Sequence, residues 1–253
     1  MHSSRLRRLA SAAVLATTLG SGLSSAQSVT VFSSDFESPV AAAINPGTAL
    51  LTGVQGYAGL GSAGNQIAGS FLRSETANRV TLTLTGLPTH DALSTSFLFA
   101  AIDSLDGTGS FPAGDYFRID IDGVNRFRES FANATDDQVQ SYVPPTGVEL
   151  ARKVDLGFTG PGGYYRDSAY NLGADPRFQQ FAHTGSSVTI EFWMEGVGLQ
   201  SLSDESWAMD NLRVEAFTVG GPAVPAVPEP STYALMLAGL GCIGAVIRRR
   251  RPH

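Results

Sequence analysis

Hydrophobic and polar residues alternate along most of this chain with a period of two. Arg79-Val80-Thr81-Leu82-Thr83-Leu84 is the clearest stretch, and Ser96 to Phe99, Tyr116 to Ile121 and Val188 to Met194 follow it. Successive side chains of a strand point to opposite faces, so such alternation predicts strands with one buried face. Val29 to Phe36, Arg126 to Phe131, Lys153 to Phe158 and Trp207 to Phe217 are further candidates, and Asp122-Gly123 between two strands predicts a hairpin turn. No convincing helix appears between residues 27 and 218. Eight or more strands separated by Gly, Pro and Asp turns predict an all-β fold, one antiparallel β-sandwich of jelly-roll type. Pro39 to Gly69, rich in Ala and Gly, is expected to be a long loop with one or two irregular strands.

The two ends break the pattern. Arg5, Arg7 and Arg8 precede an uncharged run from Leu9 to Leu19, and Ser24-Ser25-Ala26 supplies the small residues that precede a cut. Residues 1–26 are therefore expected to be a secretory signal peptide, which requires the Sec export machinery and signal peptidase. At the other end Tyr233 to Ile247 carries no charge and is followed by Arg248, Arg249, Arg250 and Arg251. As a helix this run would be ~22 Å long, a minimal span of the ~30 Å hydrocarbon layer. The arginines would hold the end on the cytoplasmic side, so 231–253 is expected to be one short transmembrane helix with everything before it outside. Gly239-Leu240-Gly241-Cys242-Ile243-Gly244 matches G-x-G-x-x-G, but the nine residues after it cannot complete a dinucleotide-binding βαβ unit. Alternating prolines between 219 and 230 predict a stiff linker.

Val227-Pro228-Glu229-Pro230, then Ser231-Thr232-Tyr233, the Gly-rich apolar run and the terminal arginines resemble the PEP-CTERM sorting signal, also known as the ice-binding-protein C-terminal domain. The resemblance implies a Gram-negative bacterium that makes exopolysaccharide. It also implies an exosortase-type membrane transpeptidase that recognises Pro228, Glu229 and Pro230 and releases or re-anchors the protein at the cell surface.

With both ends assigned, residues 27 to 228 hold ten basic and 22 acidic residues, a net charge of −12. Such a domain repels nucleic acid and anionic lipid and offers carboxylates to divalent cations. The one cysteine, Cys242, lies in the tail, so the domain has no disulfide and depends on its core, helped by metal. Asp103, Asp106 and Asp115 surround a Gly-rich loop, Asp204, Glu205 and Asp210 flank the last strand, and Asp35 and Glu37 end the first. Calcium takes six to eight oxygens, which loops between strands can supply. Asp35, Glu37, Asp103, Asp106, Asp115 and Asp210 are accordingly candidate calcium ligands; the alternative is that each is a turn former or a solvated charge.

The stretches "AIDSLDGTGSFPAGDYFRIDIDG", "YYRDSAYNLG" and "LQSLSDESWAMDNLRV" resemble a recurring secreted β-sandwich module, with Leu105 where that module carries a tryptophan. Calcium-binding carbohydrate modules of the jelly-roll type share an ion between first and last strands, and this resemblance places Glu37 and Asp210 as its ligands. Tyr164, Tyr165 and Tyr170 with Arg166 offer flat rings and polar rims suited to a sugar, or else cover one end of the sandwich. Thr81, Thr83 and Thr85 share one strand face, a single row too small for an ice-binding surface. Outside the ends there are only His90 and His183, no cysteine, no His-Glu-x-x-His and no Gly-x-Ser-x-Gly. The expectation is therefore an exported, surface-sorted binding protein of the extracellular matrix or exopolysaccharide, not an enzyme. The alternatives are a structural or adhesive surface protein and, less favoured, a glycan-active hydrolase using paired carboxylates.

Overall fold

The computed structural model describes residues 27–108, 114–158 and 165–218. The expected signal peptide 1–26, the linker and the tail 231–253 lie outside the described residues. Among the described residues no helix is long and apolar enough to cross a membrane.

The described chain is all-β, with antiparallel sheets. The larger sheet runs β11 (Glu149–Val154), β12 (Asp167–Asn171), β8 (Ala92–Asp103), β15 (Glu205–Thr218), β6 (Ser70–Glu75) and β3 (Leu50–Gly53) in spatial order. β1 (Gln27–Ser34) also pairs with β15, and β13 (Phe181–Ala182) with β8. The second sheet runs β10 (Val124–Ser130), β9 (Tyr116–Ile121), β14 (Ser187–Glu195), β7 (Arg79–Thr85) and β2 (Ile44–Asn45). β4 (Gly61–Ser62) and β5 (Asn65–Gln66) form a separate ribbon.

Alternation decides which face meets the core. Val80, Leu82 and Leu84 of β7 and Val188, Ile190, Phe192 and Met194 of β14 point inward, where they meet Phe97, Phe99, Trp207 and Met209 of the larger sheet. Aromatic rings fill the middle: Phe99 lies 4.3 Å from Phe117, and Trp207 lies 5.1 Å from Phe117. Their intervening neighbours, Thr81, Thr83, Glu191 and Trp193, occupy the other face of the second sheet. The hairpin turn at Asp122-Gly123 is where the sequence places it, both residues having positive φ (49° and 75°).

The larger sheet is covered on both faces. Leu98, Ala100 and Ile102 alternate with the core residues of β8 and pack outward against Val54, Tyr57, Ile67 and Phe71. The segment expected to be a long loop from Pro39 to Gly69 is more structured than that. It contains four short strands, β2 to β5, and a 3-10 turn at Gln55–Tyr57, and it supplies much of this second cover. The strand expected at Lys153 to Phe158 is β11, Glu149–Val154, shifted towards the N-terminus. Both sheets and both clusters are contained in 27–218, and the described residues belong to one compact unit.

β15 changes neighbours along its length. Its first half pairs with β6, its second half with β1, and the β15–β8 register slips between Asp210 and Arg213. Asn211 sits in this bulge with φ 52°, an uncommon conformation for a residue with a Cβ. Bulges re-aim side chains next to binding sites more often than elsewhere.

Candidate functional site

Three carboxylates from distant parts of the chain converge beside the start of β15. Asp106 follows β8, Asp115 precedes β9 and Glu205 opens β15; one oxygen of each lies within 4.8 Å of the others. Glu205 and Asp115 are 1% and 2% exposed, and Asp106 is partly buried. The Asp106 backbone N–H donates to Asp115 Oδ2 at 2.6 Å, and Gln138 Nε2 donates to Asp106 Oδ1 at 2.6 Å. Gln200 donates its backbone N–H and its amide to the two oxygens of Glu205 at 3.0 and 3.1 Å. Gly107 makes the turn possible: at φ 73°, a Cβ there would lie 2.4 Å from the Val139 carbonyl oxygen.

Burial governs the electrostatics of this centre. It pushes the Glu205 carboxyl up to about 8, with the charge of Asp115 adding to it, and the Asp115 carboxyl up to about 6. Asp106 is raised as well, against the hydrogen bond from Gln138. Three anions in so small a volume are stable only if they hold protons or share a cation. The donor set is all oxygen and anionic, which fits a hard divalent ion such as calcium rather than a soft transition metal. Among the described residues this is the one group of three with that convergence.

The other predicted ligands go elsewhere. Asp103, at φ 63°, takes no part in this group; its carboxylate is buried without a hydrogen bond, and Arg73 Nη2 lies 3.7 Å away. Burial pushes Asp103 up to about 7, with the charge of Asp167 adding and Arg73 opposing. Asp35, Glu37 and Asp210 come near one another around the turn at residues 68–70. Asp210 Oδ2 accepts the Ala68 N–H at 3.1 Å and Oδ1 the Asn211 N–H at 2.6 Å, while Glu37 Oε1 accepts the Ser70 N–H at 3.1 Å. Backbone groups thus already occupy both oxygens of Asp210.

Beside that turn, at the β15 bulge, a cleft of about 460 Å³ opens on the outer face of the larger sheet. Its lining includes Asp35, Asn65, Ser96, Asn211, Arg213 and Glu215, and among the described residues no aromatic side chain. Its volume falls in the ~300–1,000 Å³ range of small-molecule sites.

The predicted tyrosine platform loses Tyr170 to the core. Tyr170 is fully buried: its ring packs 5.0 Å from Phe131 and 5.5 Å from Tyr142, and its hydroxyl donates to Gln140 Oε1 at 3.2 Å. It sits at an inward position of β12, so it belongs to the core and cannot meet a sugar. Arg166 is exposed and paired with Asp136, and Tyr165 is partly buried. Tyr164 and the sorting residues Pro228, Glu229, Pro230 and Arg248 to Arg251 lie outside the described residues. The two histidines, 93 residues apart, meet: His90 Nε2 lies 2.7 Å from His183 Nδ1, and His183 Nε2 lies 3.1 Å from Asp122 Oδ2. Spacing in the sequence gave no sign of this contact.

Residues 226–251 match the PEP-CTERM protein-sorting motif. That motif is a sorting signal recognised by exosortase, and it implies an exported surface protein. No curated protein matches the chain in sequence. Among solved structures, a cycloisomaltooligosaccharide glucanotransferase from Paenibacillus sp. is similar over 72% of this chain, at 14% identity and a TM-score of 0.32. A 4-O-methyl-alpha-glucuronidase with specificity for decorated arabinogalactans is similar over 74%, at 8% identity and a TM-score of 0.31. The chain spans only 18% and 17% of the length of these two. A family 35 carbohydrate binding module from Clostridium thermocellum is similar over 75% of this chain and 100% of its own, at 13% identity and a TM-score of 0.29. Scores this low leave ligand and activity to be read from the chain's own residues.

Proposed function

We propose that this exported protein is a binding module for an extracellular polysaccharide, which it meets in the cleft at the β15 bulge. Calcium held by Asp106, Asp115 and Glu205 pins the neighbouring end of the sandwich. The observation that carries the reading is the cleft itself, whose amides, hydroxyls and carboxylates match the alternating donors and acceptors of a sugar. An exported protein carrying an exosortase signal meets such polymers outside the cell. Binding without turnover is favoured by burial at the acidic centre. The convergence of Glu205 and Asp115 approaches the ~5 Å of retaining glycosidases, but at 1% and 2% exposure neither carboxyl reaches a glycosidic bond.

Titration calorimetry of residues 27–218 with fragments of the host's exopolysaccharide tests the reading. Ser33, exposed on β1, also lines the cleft, so Ser33→Trp should fill the space without touching the core. Binding by the wild type and its loss in Ser33→Trp at an unchanged melting temperature are expected. Binding that survives Ser33→Trp would move the site elsewhere, and no binding to any glycan would end the proposal.

A further inference from the structure

The cleft is charged as well as polar, and we propose that it selects sugars bearing a free amino group, as in a partly de-N-acetylated amino-sugar polysaccharide. This rests on the glycan-binding reading above and narrows it.

The charge comes from three neighbouring elements. Among the described residues Arg213 is the one cation in the lining, and its charge is met: Nη2 donates to Glu215 Oε1 at 2.9 Å and to Thr30 Oγ1 at 2.6 Å. Asp35 has no such counter-ion among the described residues. It lies just past β1, exposed, with Oδ1 accepting the Glu37 N–H at 3.2 Å. Glu37 and Asp210 stand behind it. Burial, with the charges of Glu37 and Asp35 adding to it against two backbone N–H donors, pushes the Asp210 carboxyl up to about 6, so a negative field extends from the turn to the cleft. The domain as a whole is acidic too, with ten basic against 22 acidic residues between 27 and 228. The chain has one lysine, Lys153, and its ammonium is held by the carbonyls of Thr135 and Gln138 at 2.7 and 3.1 Å.

This electrostatic pattern chooses among glycans. With no aromatic ring among the described residues of the lining, a neutral pyranose finds no flat apolar surface there to stack on. Its hydroxyl contacts replace equivalent contacts with water and leave little net gain. An ammonium beside Asp35 adds a charge-assisted hydrogen bond, which is worth roughly twice a neutral one. A uronate would meet Asp35 as a like charge, in a domain whose net charge is −12.

A lysine-rich peptide carries the same ammonium without the polyol, so the test separates the two. Residues 27–218 are titrated in millimolar calcium with glucosamine tetramer, N-acetylglucosamine tetramer and tetralysine. The glucosamine tetramer should bind about tenfold more tightly than its acetylated counterpart, with an affinity that falls as salt is added. Asp35→Asn should abolish that difference, weakening the glucosamine tetramer about tenfold and leaving the acetylated tetramer within about twofold. Asp35 is exposed, so the variant should melt with the wild type, and Asp35→Glu should restore the preference. Equal binding of the two sugars, or an unchanged preference in Asp35→Asn, overturns the inference and leaves the glycan-binding reading standing. Tetralysine binding as tightly as the amino sugar also overturns it. Failure of both sugars to bind overturns the inference, while the wider glycan-binding reading stands or falls with the exopolysaccharide titration.

Discussion

Replacing Glu205 by Gln should stabilise the protein in the absence of calcium and remove most of the stabilisation that calcium brings. The glutamine removes the negative charge and keeps the shape. Gln200 can still donate its backbone N–H, and its amide can turn to accept from the new one, so the two hydrogen bonds at 3.0 and 3.1 Å are replaced rather than lost. The Glu205 carboxyl is raised from 4.5 to about 8 by burial and the charge of Asp115. A folded-state value above the unfolded one means that the fold favours the protonated acid. Stability is therefore complete below about pH 4.5, falls as pH rises to about 8, and is level above that. At 1.36 kcal/mol per unit the full loss is on the order of 4–5 kcal/mol, a ceiling because Asp115 and Asp106 relax together with Glu205. In EDTA at pH 8.5, Glu205→Gln should then melt higher than the wild type. Calcium bound only by the folded state adds about 2.7 kcal/mol at a hundred times Kd, or about 5–10 °C for a domain of this size. That gain should appear in the wild type and be largely absent in Glu205→Gln. Thermal melts of 27–218 in millimolar calcium and in EDTA decide the matter. A variant that melts below the wild type in EDTA, or that gains as much from calcium, refutes the reasoning.

Tyr170→Ala should cost about 3–5 kcal/mol, the usual loss for a fully buried aromatic side chain, and leave glycan affinity unchanged in whatever fraction remains folded. Lost affinity at unchanged stability would return Tyr170 to the ligand site. Glu229→Ala, within the matched sorting motif, should leave full-length protein in the membrane fraction of cells, detected by immunoblot. Normal release of that variant would show that the sorting enzyme reads other residues.

How much was legible in the sequence depended on how many faces each strand buries. β7 and β14 bury one face, so their alternation is clean and their positions followed directly. β8 buries both, so the alternation read at Ser96 to Phe99 is not a one-faced pattern but part of a continuous buried run through Ala101. The cover over its outer face came from 39–69, whose two-residue strands are too short to show a pattern. Tyr170 misled because an aromatic beside a Gly-rich loop suggests a binding surface, whereas its inward parity on β12 was not visible without the register. Asp106 and Asp115 were singled out as ligands, whereas their partner Glu205 was noted only among the carboxylates flanking the last strand. Glu205 is about 90 residues further on, and only one sign pointed to it: counting back by twos from the buried Met209 and Trp207 puts an acid at an inward position.

The pairing of the first strand with the last governs how the domain bears force. Gln27 lies opposite Thr218, so the chain enters and leaves at the same end of one antiparallel ladder. A pull between these two points would open β1 from β15 like a zipper, one pair at a time and at low load. A tether that follows Thr218 and works against a polymer held at the bulge pulls differently. It draws along β15, which is bonded to β8 on one side and to β1 and β6 on the other. In that direction the hydrogen bonds of both ladders share the load and must shear together. A surface protein held by its C-terminal side would thus resist drag through its most firmly secured strand, with the first strand loaded in shear instead of being peeled away.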